Sequence, residues 1–245
     1  MSREDDKMGA VTDGSSRDET PQSEPDAVRA DPQAAGAPLR SYGGVDGDER
    51  ISRRREALMD ATLELLDAEG AVTVRGICRA SGLNPRYFYE SFESADALVA
   101  ATFDRVIEEI SEAALTAFAA GVGVAGKVSG AVGAIVDIVD ADRRKGQLLF
   151  SPSLLSPVVA AKRNESTGLF AMLTLHTASD ALATEVGPEA IAAAQFQVGG
   201  LGRLVSTWLD EEIPLGRDEL VALSVRLMMS LVGAVTDGGD DMLEP

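Results

Sequence analysis

The sequence predicts an all-α fold. Apolar residues make up 45% of the 245 residues, and after residue 50 they recur every three or four positions, the spacing of one buried helix face. Aromatic residues account for only 4%, and no alternating polar and apolar runs are bounded by hairpin turns, so strands are not expected. The length allows either one domain or two.

Composition limits the class of protein further. No apolar run reaches the ~18 residues of a membrane span, and the start MSREDDKMG lacks a signal-peptide core, so we expect a cytoplasmic protein. Cys78 is the only cysteine, which excludes an internal disulfide and a cysteine-cluster metal site, and we expect it in the core. The formal net charge of −18 argues against a protein that coats nucleic acid without sequence preference. Sequence-independent affinity for DNA comes from lysines and arginines that contact phosphates.

The chain begins with an acidic, polar stretch. Residues 1–48 hold almost no large apolar side chains, and such a composition cannot offset the entropy of ordering, so we predict a disordered tail. Alternatively, this tail contacts DNA through Arg40 or Arg50.

Apolar spacing predicts a first helix from Ile51 to about Gly70. Arg53, Arg54 and Arg55 would lie at its start, where the helix dipole repels cations. A nearby phosphate would remove this conflict, and a solvated charge run ahead of a frayed first turn is an equal alternative.

The segment TVRGICRASGLNPRYFYESF predicts two short helices joined by a tight turn. Thr73 can cap the first, which should end at Gly82 because glycine tolerates positive φ. Asn84 and Pro85 then supply a cap and a preset φ for the second helix, which should end at Ser91. The second helix would show three side chains suited to an anionic partner, Arg86, Tyr87 and Tyr89, and would bury Phe88 and Phe92.

This segment carries a resemblance. GLNPRYFYESF, followed by ESADAL and preceded by a helix ending in AEG, resembles the helix-turn-helix of the TetR family of transcriptional regulators over about Ile51 to Ala101. The resemblance implies that the second short helix enters the DNA major groove and that an all-helical ligand-binding and dimerisation domain follows. The chain departs from the family at Ala95, just after Ser94, where the family most often has a lysine that can contact phosphate.

Residue chemistry and the resemblance together predict the residues that contact DNA. Arg86 can donate two hydrogen bonds to guanine, and Tyr87 can reach bases or methyl groups. Tyr89 matches a family tyrosine that donates to phosphate, and backbone amides near Thr73 also face phosphate. The predicted set is Arg53, Thr73, Arg75, Asn84, Arg86, Tyr87, Tyr89 and Ser91.

The rest of the chain predicts further helices. Ser94 can cap a long helix. The string GVGVAG that follows satisfies a dinucleotide-binding pattern, but helix rather than strand precedes it, so we interpret it as a loop before a helix from Val128 to Val139. Pro152 and Pro157 predict a short helix and a kinked stretch before the next long helix. The later helices are expected at about 158–184, 188–209 and 220–235.

The resemblance also implies a ligand pocket and a four-helix dimer interface. His176, the only histidine, fits a core or pocket position better than a metal ligand, because no second ligand accompanies it. The pocket candidates are Phe103, Ile107, Phe150, Phe170, Leu173, His176 and Phe196, each of which could instead be plain core. The dimer candidates are Leu201, Leu204, Trp208, Leu220, Leu227 and Leu231, and a monomer could equally bury this stripe internally.

The leading hypothesis is a dimeric repressor that binds a palindromic operator and is released by a small, mostly apolar effector. Its domains would be a tail (1–48), the helix-turn-helix unit (49–93), the ligand-binding and dimerisation domain (94–236) and a disordered end (237–245). No nucleophile elbow, HExxH motif or P-loop supports an enzyme, and no cofactor is expected. The alternative, suggested by Ala95 and the acidity, is a helical ligand-binding or protein-interaction module that no longer reads DNA.

Overall fold

Nine α-helices and no strand make up the described part of the chain. The computed structural model describes residues 47–67, 72–151, 156–182 and 187–237, and the all-α prediction is confirmed within these ranges. None of the described helices is long and apolar enough to cross a membrane. The helices are α1 (Gly47–Asp67), α2 (Val74–Ser81), α3 (Pro85–Ser91), α4 (Ala95–Ala120), α5 (Gly123–Ala141), α6 (Arg143–Phe150), α7 (Pro157–Leu182), α8 (Pro188–Leu209) and α9 (Arg217–Asp237).

The first helix starts earlier than its apolar pattern indicated. α1 begins at Gly47, with Asp48 and Glu49 in its first turn, where acidic side chains stabilise the positive end of the helix dipole. The three arginines at 53–55 therefore lie beyond the first turn, and the conflict with the dipole does not arise. Ile51 is 43% exposed and does not belong to the buried face, which is a correction to the predicted pattern.

The fifth helix also starts earlier than predicted. α5 begins at Gly123, inside the GVGVAG string, so most of the string is helix rather than loop. α5 packs closely on α4, since a Cβ atom at Gly130 would lie 2.7 Å from the carbonyl oxygen of Ala117. Tertiary contact between the two helices thus outweighs the poor helix propensity of glycine.

The described side chains form two main hydrophobic clusters. The head cluster joins α1, α2, α3 and the start of α4, and its buried members are Leu58, Met59, Ala61, Ile77, Cys78, Phe88, Phe92 and Leu98. Burial raises the pKa of the Cys78 thiol, and its core position confirms the prediction for this residue. The larger body cluster includes residues of α1 and of α4 to α9.

Two helices contribute to both clusters. Leu58 of α1 lies in the head cluster and Leu63 in the body cluster. Leu98 and Val99 of α4 divide in the same way, one in each cluster. The predicted boundary at residues 93 and 94 stays a prediction, and the predicted tails fall almost entirely outside the described residues.

Replacing Phe88 tests the role of the head cluster. Phe88→Ala is expected to lower the free energy of unfolding by ~3–5 kcal/mol, because Phe88 is fully buried and its loss leaves a cavity. Denaturant unfolding followed by circular dichroism measures the effect. Tyr89→Phe is the control and should change the value by less than ~0.5 kcal/mol, since Tyr89 is 62% exposed. Equal effects of the two variants would contradict the assignment.

Candidate nucleic-acid interface and internal cavity

Local capping builds the helix-turn-helix unit as the sequence predicts. The side-chain oxygen of Thr73 accepts a hydrogen bond from the Gly76 N–H at 3.1 Å, and Gly82 ends α2 with φ of 70°. The side-chain oxygen of Asn84 accepts from the Tyr87 N–H at 3.1 Å, and Pro85 occupies the first turn of α3. The end of α2 and the start of α3 are therefore set by residues of the turn itself.

The exposed face of α3 carries the three predicted side chains. The side chain of Arg86 is 83% exposed, and Tyr87 and Tyr89 are 38% and 62% exposed. Phe88 lies on the opposite side, fully buried, with its ring edge-on to Tyr89 at 5.2 Å between centroids. One guanidinium and two phenols are thus presented together on a single short helix, which is a chemistry suited to base edges and phosphates.

Two arginines of α1 hold α3 in place rather than facing outward. Arg54 lies over the ring of Tyr87, 4.7 Å from its centroid. Arg55 lies 4.1 Å from the ring centroid of Phe92 and donates a hydrogen bond to the carbonyl oxygen of Ser91 at 2.5 Å. The sequence indicates only phosphate contacts or solvated charges for these arginines, whereas their long-range partners give them a structural role.

Glu90 is a residue that the sequence analysis missed. Its carboxylate lies between two arginines, with Oε1 2.9 Å from Arg86 Nε and Oε2 3.1 Å from Arg54 Nη1. The spacing of four residues between Arg86 and Glu90 on one helix was the available signal. An exposed ion pair of this kind is weak, so Arg86 can leave it, but the carboxylate puts a negative charge on the same face.

The remaining predicted DNA-contacting residues have different surroundings. Arg53 is exposed and pairs with Glu49 one turn earlier. Arg75 is exposed on α2, while Thr73 and Asn84 are exposed and use their side chains as caps. The Ser91 hydroxyl donates to the Tyr87 carbonyl oxygen at 2.9 Å. The DNA role of all eight residues stays a prediction.

Ala95 is half-buried at the start of α4 and packs against the head cluster. It therefore supplies an apolar contact where the family most often has a cation. The cap before it is formed as predicted, because the Ser94 hydroxyl oxygen accepts from the Ala97 N–H at 3.1 Å.

A cavity of about 490 Å³ lies among α4, α5, α6, α7, α8 and α9. Four of the seven pocket candidates line it, namely Ile107, Phe150, Phe170 and Leu173. Other apolar lining residues include Ile110, Leu115, Phe118, Val132, Ile135, Leu149, Leu201 and Met228.

The other three pocket candidates do not line this cavity. Phe103 is only 1% exposed and belongs to the body cluster. Phe196 is 68% exposed because it lies on the outer side of α8, and His176 is exposed on α7. The described residues hold no group of three or more His, Cys, Asp or Glu side chains that could bind a metal ion.

The dimer candidates divide by burial within the single chain. Leu220 is fully buried and Trp208 is 9% exposed, with its indole N–H donating to the Leu215 carbonyl oxygen at 2.8 Å. Both side chains are therefore already buried within a single chain, without a partner subunit. Leu201 and Leu204 pack partly against the body cluster, Leu231 is half-buried, and Leu227 is 51% exposed.

The arrangement of the helices is that of known transcriptional regulators. A TetR-family regulator from Marinobacter aquaeolei has a TM-score of 0.58 at 19% identity, with 75% of this chain and 97% of that chain covered. The fatty acid degradation regulator FadR from Bacillus halodurans has a TM-score of 0.60 at 17% identity, covering 71% and 94%. FadR from Bacillus subtilis, in complex with stearoyl-CoA, has a TM-score of 0.58 at 17% identity, covering 72% and 97%.

The chain therefore has the fold of TetR-family transcriptional regulators, as the resemblance implied. These solved structures are of transcriptional regulators rather than enzymes. The sequence itself matches no protein-family model and no curated protein.

Glu90→Gln tests how the acidic side chain affects the α3 face. We expect affinity for all DNA sequences to rise by roughly 2- to 5-fold, because one negative charge near phosphate is removed and Arg86 and Arg54 are released. Binding isotherms with labelled duplexes measure the change at several salt concentrations. Glu108→Gln, an exposed carboxylate of α4, should leave affinity unchanged. A loss of affinity in Glu90→Gln would instead show that Glu90 positions Arg86 productively.

Proposed function

We propose that this protein is a ligand-responsive transcriptional repressor that binds a palindromic operator as a homodimer. The observation that carries the proposal is the exposed face of α3, on which Arg86, Tyr87 and Tyr89 stand together while Phe88 anchors the helix from behind. A duplex offers this face base edges in its major groove and phosphates on either side. The proposal also draws on the fold shared with transcriptional regulators.

The outer face of α8 supports the homodimer. Phe196 is 68% exposed, where a large aromatic side chain is available to pack against a partner. Gly199 and Gly200 follow on the exposed side, where an added Cβ would meet nothing within 4 Å. Leu227 adds an exposed apolar side chain on α9, which packs against α8. A second copy of the chain would cover these side chains and pair the two α3 helices for a palindrome.

The cavity supports an effector that is small and mostly apolar. Its volume of about 490 Å³ falls within the ~300–1,000 Å³ of small-molecule sites. The stearoyl-CoA bound by the Bacillus subtilis regulator shows that this fold can take a ligand with a long apolar chain.

Helix α4 connects the cavity with the head cluster. α4 contributes Leu98 to the head cluster and lines the cavity with Ile107, Ile110 and Ser111. A ligand that favours one position of α4 would favour one separation of the two helix-turn-helix units in the dimer. Only such a difference in affinity between two head separations can make the ligand an inducer.

Arg86→Ala tests the DNA-binding role. Affinity for the preferred duplex from the DNA flanking the gene should fall by ~1–3 kcal/mol, with relaxed discrimination at one base pair, because a bidentate contact is lost. Competition binding with single-base variants of the duplex measures both effects. Arg53→Ala should instead weaken binding to all sequences alike, and Arg143→Ala, outside the head, should change nothing. Absence of any salt-dependent binding by the wild type would favour the alternative of a module that no longer reads DNA.

Phe196→Glu tests the dimer. A charge placed in the proposed interface should convert the protein to a monomer and remove operator binding, because one α3 helix reads only half of a palindrome. Sedimentation velocity measures the mass. Val122→Glu is the matched control, since Val122 is 91% exposed outside α8 and α9, and it should remain a dimer. An unchanged mass for Phe196→Glu would contradict this interface.

A further inference from the structure

The charged side chains known to line the cavity are all positive. Among the residues that the structure describes, Arg163 of α7 and Arg203 of α8 are the only charged ones that line it, and no described Asp or Glu does. This is the opposite of the whole chain, which has 40 acidic and 22 basic residues. The cavity is therefore a locally positive site inside an acidic protein.

Arg163 is held rigidly at the wall of this cavity. Its Nε and Nη2 atoms donate to the Leu148 carbonyl oxygen at 3.2 and 2.8 Å, and Nη2 also donates to the Gln147 carbonyl oxygen at 3.2 Å. These carbonyl groups belong to the last turn of α6, so the guanidinium also satisfies the exposed end of that helix. Nη1 takes no part in these hydrogen bonds.

Arg163 also lacks an acidic partner in the described part of the chain. Arg217 shows the usual arrangement, with two nitrogens on the Asp137 carboxylate at 2.7 and 2.8 Å. No described carboxylate makes such a pair with Arg163. Burial lowers the pKa of the Arg163 guanidinium below its usual value, with no opposing charge to raise it. A half-buried cation in this situation gains most from an anion supplied by a ligand.

A second polar group in the cavity also lacks a partner. The Ser111 hydroxyl of α4 is buried and makes no hydrogen bond, yet Ser111 lines the cavity. Buried hydroxyl groups in folded proteins nearly always have partners, so this group indicates a ligand acceptor. Ser166 and Thr167 differ, because their hydroxyls already donate to the Arg163 carbonyl oxygen at 3.1 and 2.8 Å.

We propose that the cavity binds an amphipathic carboxylate, with Arg163 and the Ser111 hydroxyl donating to the carboxylate and the apolar wall enclosing a hydrocarbon chain. This inference rests on the proposed function only in that the same cavity would hold the effector. The apolar wall excludes a small inorganic anion as the preferred ligand, because Leu115, Phe118 and Phe170 offer such an ion no polar contact. An unbranched fatty acid has both required parts.

Calorimetric titration of the full chain with decanoate, 1-decanol and decanoyl-CoA tests the carboxylate requirement. Decanoate should bind at least 10-fold more tightly than the alcohol, because only the carboxylate makes charge-assisted hydrogen bonds with Arg163. Equal binding of the alcohol and the acid would overturn the proposal. Binding of the thioester without binding of the free acid would also overturn it, since the anionic groups would then lie on the carrier.

Variants identify the residues that hold the head group. Arg163→Gln should weaken decanoate binding by ~10- to 100-fold and leave 1-decanol binding unchanged. Ser111→Ala should weaken decanoate by a smaller factor, and it removes no hydrogen bond from the fold. Arg143→Gln, outside the cavity, is the matched control and should bind decanoate like the wild type. Equal losses for the acid and the alcohol in Arg163→Gln would overturn the assignment of Arg163.

DNA binding separates this inference from the proposed function. Each preparation is also titrated with the preferred flanking duplex in the absence of decanoate. Retained DNA binding by the wild type without selective decanoate binding would overturn only the carboxylate proposal. Selective decanoate binding without DNA binding would support the carboxylate site while contradicting the regulator.

Discussion

Burial of Phe88 is the constraint on which the presentation of α3 depends. A helix of only seven residues is unstable by itself, so its position must come from packing. With Phe88 fully buried in the head cluster, the neighbouring residues Tyr87 and Tyr89 must face solvent, and Arg86 follows them. Arg54 and Arg55 of α1 also contact the C-terminal half of the helix, through the Glu90 carboxylate and the Ser91 carbonyl oxygen. The same packing that stabilises the head therefore creates its exposed polar face.

Charge placement sets the character of the exposed α3 face within an acidic chain. Glu90 shares its carboxylate between Arg86 and Arg54, so the face carries less positive charge than its arginines suggest. Binding that depends on a few directed contacts would favour sequence discrimination over general attraction to phosphate. The cavity shows the opposite charge bias, because its described lining holds Arg163 and Arg203 but no acidic side chain, while the chain as a whole has a net charge of −18.

Two helices connect these sites. α1 and α4 each contribute to the head and body clusters, and α4 also lines the cavity beside α7. A ligand contacting both Ser111 of α4 and Arg163 of α7 would add a link between two helices that the Lys162–Asp104 ion pair already joins at 2.9 Å. Because interiors pack closely, a change in the distance between these helices would be passed along α4 toward Leu98 rather than absorbed locally.

The sequence by itself determined the helical class, the helix-turn-helix unit and its caps, because Thr73, Gly82 and Asn84 act through bonds within three or four residues. It could not predict the start of α5, the structural roles of Arg54 and Arg55, or which of Phe103 and Phe196 faces inward. Those features depend on contacts between residues distant in the chain, such as the 36-residue separation between Arg55 and Ser91. Only the tertiary structure decided them, since spacing defines the faces of a helix but packing partners select which face is buried.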